Sequence, residues 1–141
     1  MAANTSPIFI NSGNFTPAVI TVANTASDGS GTLVTIVTAG VDGTRVDGVR
    51  FRNSQTAAAI STAMVHRIYL TDTGGANPRL IGEVATPAAT RSVSAIGATS
   101  IFTFDQPIIM KSGQLLKVSQ SVAGGSPNTN DFTALAFAGD Y

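Results

Sequence analysis

Apolar side chains recur along this chain at alternate positions in short runs, and clusters of Gly, Asn, Asp, Ser and Pro separate the runs. A period of two places alternate side chains on one face of a β-strand. Many short strands between turn clusters indicate a sandwich or barrel. The extended segments read as 7–11, a short arm, then 18–23, 32–38, 45–53, 63–71, 79–84, 100–109, 115–122 and 132–138. They predict an all-β fold: a two-sheet antiparallel β-sandwich of about eight strands with jelly-roll-like connections. Residues 1–15 form an N-terminal arm and 16–141 a single β-sandwich domain.

Individual runs carry more detail. Segment 32–38 has Leu33, Val34, Ile36 and Val37 on both of its faces, the pattern of a central, buried strand. In 45–53, Val49 and Phe51 share one face and Arg50 and Arg52 the other, while Val46 is out of phase with Val49. Gly48 lies between them and predicts a bulge. Segment 72–78, DTGGANP, predicts the turn of a hairpin joining 63–71 to 79–84. Phe102 and Phe104 share a face, and Pro107 confines its strand to an edge or a bulge. QTAAAISTA at 55–63 reads as a loop or a single helical turn. The last run, with Phe132, Leu135 and Phe137, predicts a strand that ties down the chain end, where Tyr141 can rest its ring on an apolar patch.

Composition sharpens this reading. Good surface-helix formers are scarce, and Glu83 is the only glutamate. Hydrophobic residues make up 43% of the 141, enough for a core, but charged residues are only 11% and the formal net charge is zero. Such a surface is poorly protected against association, which suits a subunit whose surface is covered by neighbours. Without a basic surplus, nucleic acid is not the expected partner. Cysteine is absent. The opening MAANTSPIFINSG lacks the basic and apolar segments of a signal peptide, and no run is long enough for a membrane helix, so no membrane partner is expected.

Candidate chemistry is thin. His66 is the single histidine and shares its strand face with Met64, Ile68 and Leu70, which points its ring into a core or an interface. One histidine without companions is a poor metal site. Asp28, Asp42 and Asp72 sit in turn sequences and read as Asx-turn residues. The loops DGSG and DTGGANP lack EF-hand spacing, and the glycines match no phosphate-binding motif. No catalytic residue, metal or cofactor is expected. Arg45, Arg50 and Arg52 form a small basic cluster, readable as an anion or acidic-protein site, or as a solvated face with arginines paired to acids such as Asp47. Candidate interface residues are Ile8, Phe9 and Ile10 of the arm, with Arg50, Arg52 and Tyr141. The arm reads either as a strand donated to a neighbour or as an edge strand of its own domain.

Several stretches together resemble small structural proteins of tailed bacteriophages and prophages. NTSPIFIN at 4–11 is similar to their "TPIFVN" type arm. The run 32–75 resembles their central region, in which a "TAGANGTRV" type turn leads to a strand, a Thr/Ala-rich connection, an "R-I-Y-L" type strand and a Gly-rich turn. The ending AGDY is similar to their "GGDY". The chain departs from the pattern in its 92–98 loop and in Ala138 before Gly139. The resemblance implies a non-enzymatic virion component: a decoration or cement protein on the head exterior, bound to the major capsid protein, with a homotrimer as the expected assembly. The alternative is a phage tail or fibre module that recognises a host surface glycan.

Overall fold

The computed structural model describes residues 10–54, 60–124 and 130–141. They form nine strands: β1 Ser12–Gly13, β2 Ala18–Ile20, β3 Val34–Thr38, β4 Thr44–Asn53, β5 Met64–Thr73, β6 Arg79–Thr86, β7 Thr99–Met110, β8 Gln114–Gln120 and β9 Phe132–Asp140. All pairings between strands are antiparallel. Sheet A runs β1-β9-β4-β7, with β2 also on β9, and sheet B runs β3-β8-β5-β6. The pairs β2/β9, β3/β8, β4/β7 and β5/β6 are those of one long antiparallel ribbon folded over on itself. That is jelly-roll order, and the expected all-β sandwich is therefore the fold. Among the described residues no helix is long and apolar enough to cross a membrane.

The core lies between the sheets. Val46, Val49, Phe51, Phe132, Ala134 and Ala136 of sheet A face Ile36, Met64, Ile68, Leu116 and Val118 of sheet B. The predicted bulge in β4 is present: its register shifts between Val46 and Gly48 against both β7 and β9. The extra residue restores phase, so Val46 and Val49 both reach the core. Gly48 is required there for a steric reason. A Cβ at this position would stand 2.5 Å from the Phe102 carbonyl oxygen and 3.2 Å from Thr103 Cα, both backbone atoms of the neighbouring strand. We expect Gly48→Ala to lower stability by about 1–3 kcal/mol, read as a fall in the urea midpoint at unchanged slope. A midpoint equal to that of the parent chain would show that β7 yields freely.

Two expectations change. Segment 32–38 is not a central strand: β3 is an edge of sheet B and begins at Val34. Its adjacent apolar residues arise from a register shift between Thr35 and Val37, which turns both Ile36 and Val37 inward. Segment 18–23 is a strand only as far as Ile20. Beyond it the chain changes sheets, and Ala23 makes an isolated bridge to Gln120 of β8. Pro107 is on an edge strand, in the stretch of β7 where its register with β4 shifts. The 72–78 turn closes the β5–β6 hairpin as expected, with Gly74 and Gly75 at positive φ. Ile8 and Phe9, and most of 55–63, fall outside the described residues. The described part of the arm runs along β9, where Asn11 donates its amide to the Asp140 carbonyl at 2.7 Å and Ser12–Gly13 pair in register.

Candidate interaction face

The two sheets treat their outer faces differently. The outer face of sheet B is partly covered. Tyr69 and Ser119 point away from the core yet are buried. The 24–31 loop lies against this face: Tyr69 donates its hydroxyl to the Ala26 carbonyl at 2.8 Å, and Arg67 donates to the Asn24 carbonyl at 3.3 Å. Asn24 holds that loop closed, its side-chain amide donating to the carbonyls of Ser30 and Thr32. Asp28 accepts from the Ser30 amide and hydroxyl, the expected Asx turn. Asp72 differs from expectation, because its carboxylate takes Asn77 and Arg79 side chains instead of the backbone two residues on.

The outer face of sheet A has no such cover among the described residues. Its strands turn Val19, Ile101, Ile109 and Phe137 outward, all exposed, with Leu135 half-buried between them. Ile10 and Phe15 lie alongside. Ile10, Phe15, Asp47, Leu135 and Phe137 line a shallow groove of about 280 Å³. Gly139 makes room for it, since a Cβ there would collide with the Ile10 side chain. The arginines of β4 stripe the same face. Arg45 pairs with Asp47 at 2.7 Å, as expected of a solvated face with its arginines paired to acids. Arg50 sits in register between Ile101 and Leu135, and Arg52 between Thr99 and Thr133. Neither makes an ion pair with a described residue. Ile10, Arg50 and Arg52 are thus brought onto one face. Tyr141 is at its corner, where its amide donates to the Gly43 carbonyl at 3.3 Å.

No protein-family model, curated protein or solved structure matches the chain.

Sequence reasoning missed the role of Asp140. Its carboxylate faces inward and accepts hydrogen bonds from the Thr44 hydroxyl and from the Asn14 side chain. Burial acts to raise its pKa, but these bonds and one from the Gly40 amide outweigh it and hold the carboxyl below its ordinary value. The chain end is thereby clamped to β4 and to the turn before it. Only the turn residues Gly40 and Gly43 and the threonine at 44 hint at this in the sequence.

His66 is in the core as expected. Its ring stacks on Phe51 with centroids 4.3 Å apart and planes 6° from parallel, and Phe132 packs against it at 4.7 Å with the planes tilted by 56°. Among the described residues neither ring nitrogen has a hydrogen-bond partner, and the Oε1 of its register neighbour Gln120 also lacks one. Burial pushes the His66 pKa down from 6.5 to about 4. Among the described residues no group of three or more His, Asp or Glu side chains could hold a metal ion.

Proposed function

We propose that this chain is a non-enzymatic structural subunit that works by covering another protein, and that the protein it covers is the major capsid protein of a tailed-phage head. The observation that carries this reading is the outer face of sheet A, which no described residue covers. Large apolar side chains facing water across neighbouring strands mark a surface built for contact, and interfaces enrich aromatic residues and arginine. The low charge of the whole chain favours the same use. The resemblance in segment 32–75 supplies the head as the location, and with it a decoration or cement role and a homotrimeric arrangement on the capsid. The mechanism is occlusion. A stable contact removes about 800 Å² per partner from water, and a subunit that straddles a seam resists its opening by that buried area. The edge strands β3, β6 and β7 would also be shielded by neighbours, which relieves their aggregation hazard.

Fractionating particles that carry the chain tests this reading. Heads and tails are separated and the copies counted by mass spectrometry. Many copies per head are expected. A few copies confined to the tail would favour the glycan-recognition alternative and overturn the capsid reading. Phe137→Asp adds a charge to the outer face without entering the core. We expect it to leave the melting temperature within a few degrees and to weaken head binding at least about tenfold, since burying an unpaired charge costs more than about 1.4 kcal/mol.

A further inference from the structure

Beside the bare face, at the end where β4 meets the 91–98 loop, is a second depression of about 250 Å³. Its walls include Arg52 and Arg91, the Ser92 and Ser94 side chains, and the aliphatic residues Val93 and Ile96. The loop is pinned against the strand. The Asn53 amide donates to the Ala98 carbonyl at 2.8 Å, and Arg91 donates to the Asn53 carbonyl at 3.4 Å. Gly97 permits this close approach, because a Cβ there would stand 3.0 Å from Asn53 Cβ. The loop holds its own shape through a tight turn in which the Ser94 amide donates to the Ser92 hydroxyl at 3.2 Å and the Ser92 amide to the Ala95 carbonyl at 3.0 Å.

The charge of this depression is out of balance. The chain as a whole carries equal numbers of acidic and basic residues. Here two guanidinium groups share one concavity, and no carboxylate is among the described residues that line it. Arg45, Arg67 and Arg79 each face a carboxylate elsewhere on the molecule, whereas Arg52 makes no ion pair with a described residue. A guanidinium presents a planar fork of donors that matches a carboxylate, and serine hydroxyls at the same site can donate to it as well. Val93 is fully exposed and Ile96 nearly so. They offer an apolar rim next to the charged wall. Among the described residues no aromatic ring lines the depression to form a platform for a sugar.

The geometry points to a carboxylate-binding pocket that takes an Asp or Glu side chain from an extended segment of a partner protein, with the apolar neighbours of that residue covering Val93 and Ile96. This rests on the docking reading above and names the chemistry of the partner: an acidic residue flanked by aliphatic ones. Arg52 belongs both to the pocket and to the outer face of sheet A, so a single partner surface can engage the apolar stripe and the pocket together.

The test uses the isolated, nitrogen-labelled chain and an end-capped pentapeptide, Ala-Val-Glu-Val-Ala, followed by amide shifts in NMR. The peptide is expected to bind in the millimolar range and to move the amides of Arg52, Ser92, Ser94 and Gly97. The glutamine counterpart is expected to bind about tenfold more weakly, having lost the charge-assisted pair. Arg52 is exposed, so Arg52→Glu should leave the melting temperature unchanged and lose the glutamate peptide. Equal binding of the glutamine peptide, no shifts at these amides, or galacturonate binding as tightly as the peptide would each overturn the pocket assignment. Because the probe is a free peptide on the isolated chain, such a failure removes only the pocket. Counting copies in separated heads and tails decides the docking reading independently.

Discussion

Removing residues 133–141 will leave a chain that does not fold. β9 is interior to sheet A, bonded to β4 along nearly its whole length on one side and to β1 and β2 on the other. Without it, β1 and β2 lose the strand they pair with, and β4 loses one of its two neighbours. Ala134 and Ala136 leave the core, and Phe132, fully buried and packed against His66, loses the strand that places it. The Asp140 clamp on Thr44 and Asn14 is lost with them. Each buried backbone group left unpaired costs about 1–3 kcal/mol, and a domain of this size has only about 5–15 kcal/mol in hand. Insolubility or a featureless β-signal in circular dichroism is the expected outcome. A soluble truncation that unfolds cooperatively would show that sheet A closes without its interior strand.

The second large effect is acid lability centred on His66. The unfolded histidine takes up a proton near pH 6.5, whereas the folded one resists until about pH 4. Between those values the unfolded state binds more protons, so stability is full above pH 6.5 and falls as the pH drops towards 4. The difference between those two values corresponds to roughly 3 kcal/mol at the bottom of the window. The two neighbouring rings attract a cation weakly, but the buried site supplies no partner to either ring nitrogen among the described residues, and desolvation prevails. Denaturant titrations at a series of pH values give the slope. His66→Gln should flatten it between pH 6.5 and 4, whatever the variant does to stability at neutral pH. Asp140, whose pKa is depressed, contributes at a lower range: its stabilisation is present above the ordinary carboxylate value and is lost only as the pH falls below it. A slope that persists in His66→Gln above pH 4 would remove the histidine as its source.

Much of this architecture is written in local pattern. Alternation over two residues marks strands wherever one face is buried, and eight of the nine predicted segments overlap observed strands. The phase slip around Gly48 reveals the β4 bulge because a bulge is a local event: one extra residue resets the alternation. The same logic, applied less well, misread Ile36 and Val37 as burial on both faces when another bulge was the cause. His66 among Met64, Ile68 and Leu70 could be placed in a core or an interface because three neighbours of its own strand report on it, and the structure puts it in the core.

What pattern could not decide is which faces end up covered. Tyr69 looks solvent-facing by alternation, and only the closure of the 24–31 loop over sheet B buries it. Leu135 and Phe137 are large apolar residues of the predicted last strand, yet nothing described lies over them. Asp140 reads as a terminal polar residue until Thr44, 96 positions away, and Asn14, 126 away, meet it. The physical reason is the same in each case. Alternation reports on forces between near neighbours, which depend on sequence spacing alone. Cover, clamp and pocket depend on how one long ribbon rolls up, and that brings together residues whose spacing along the chain carries no signal.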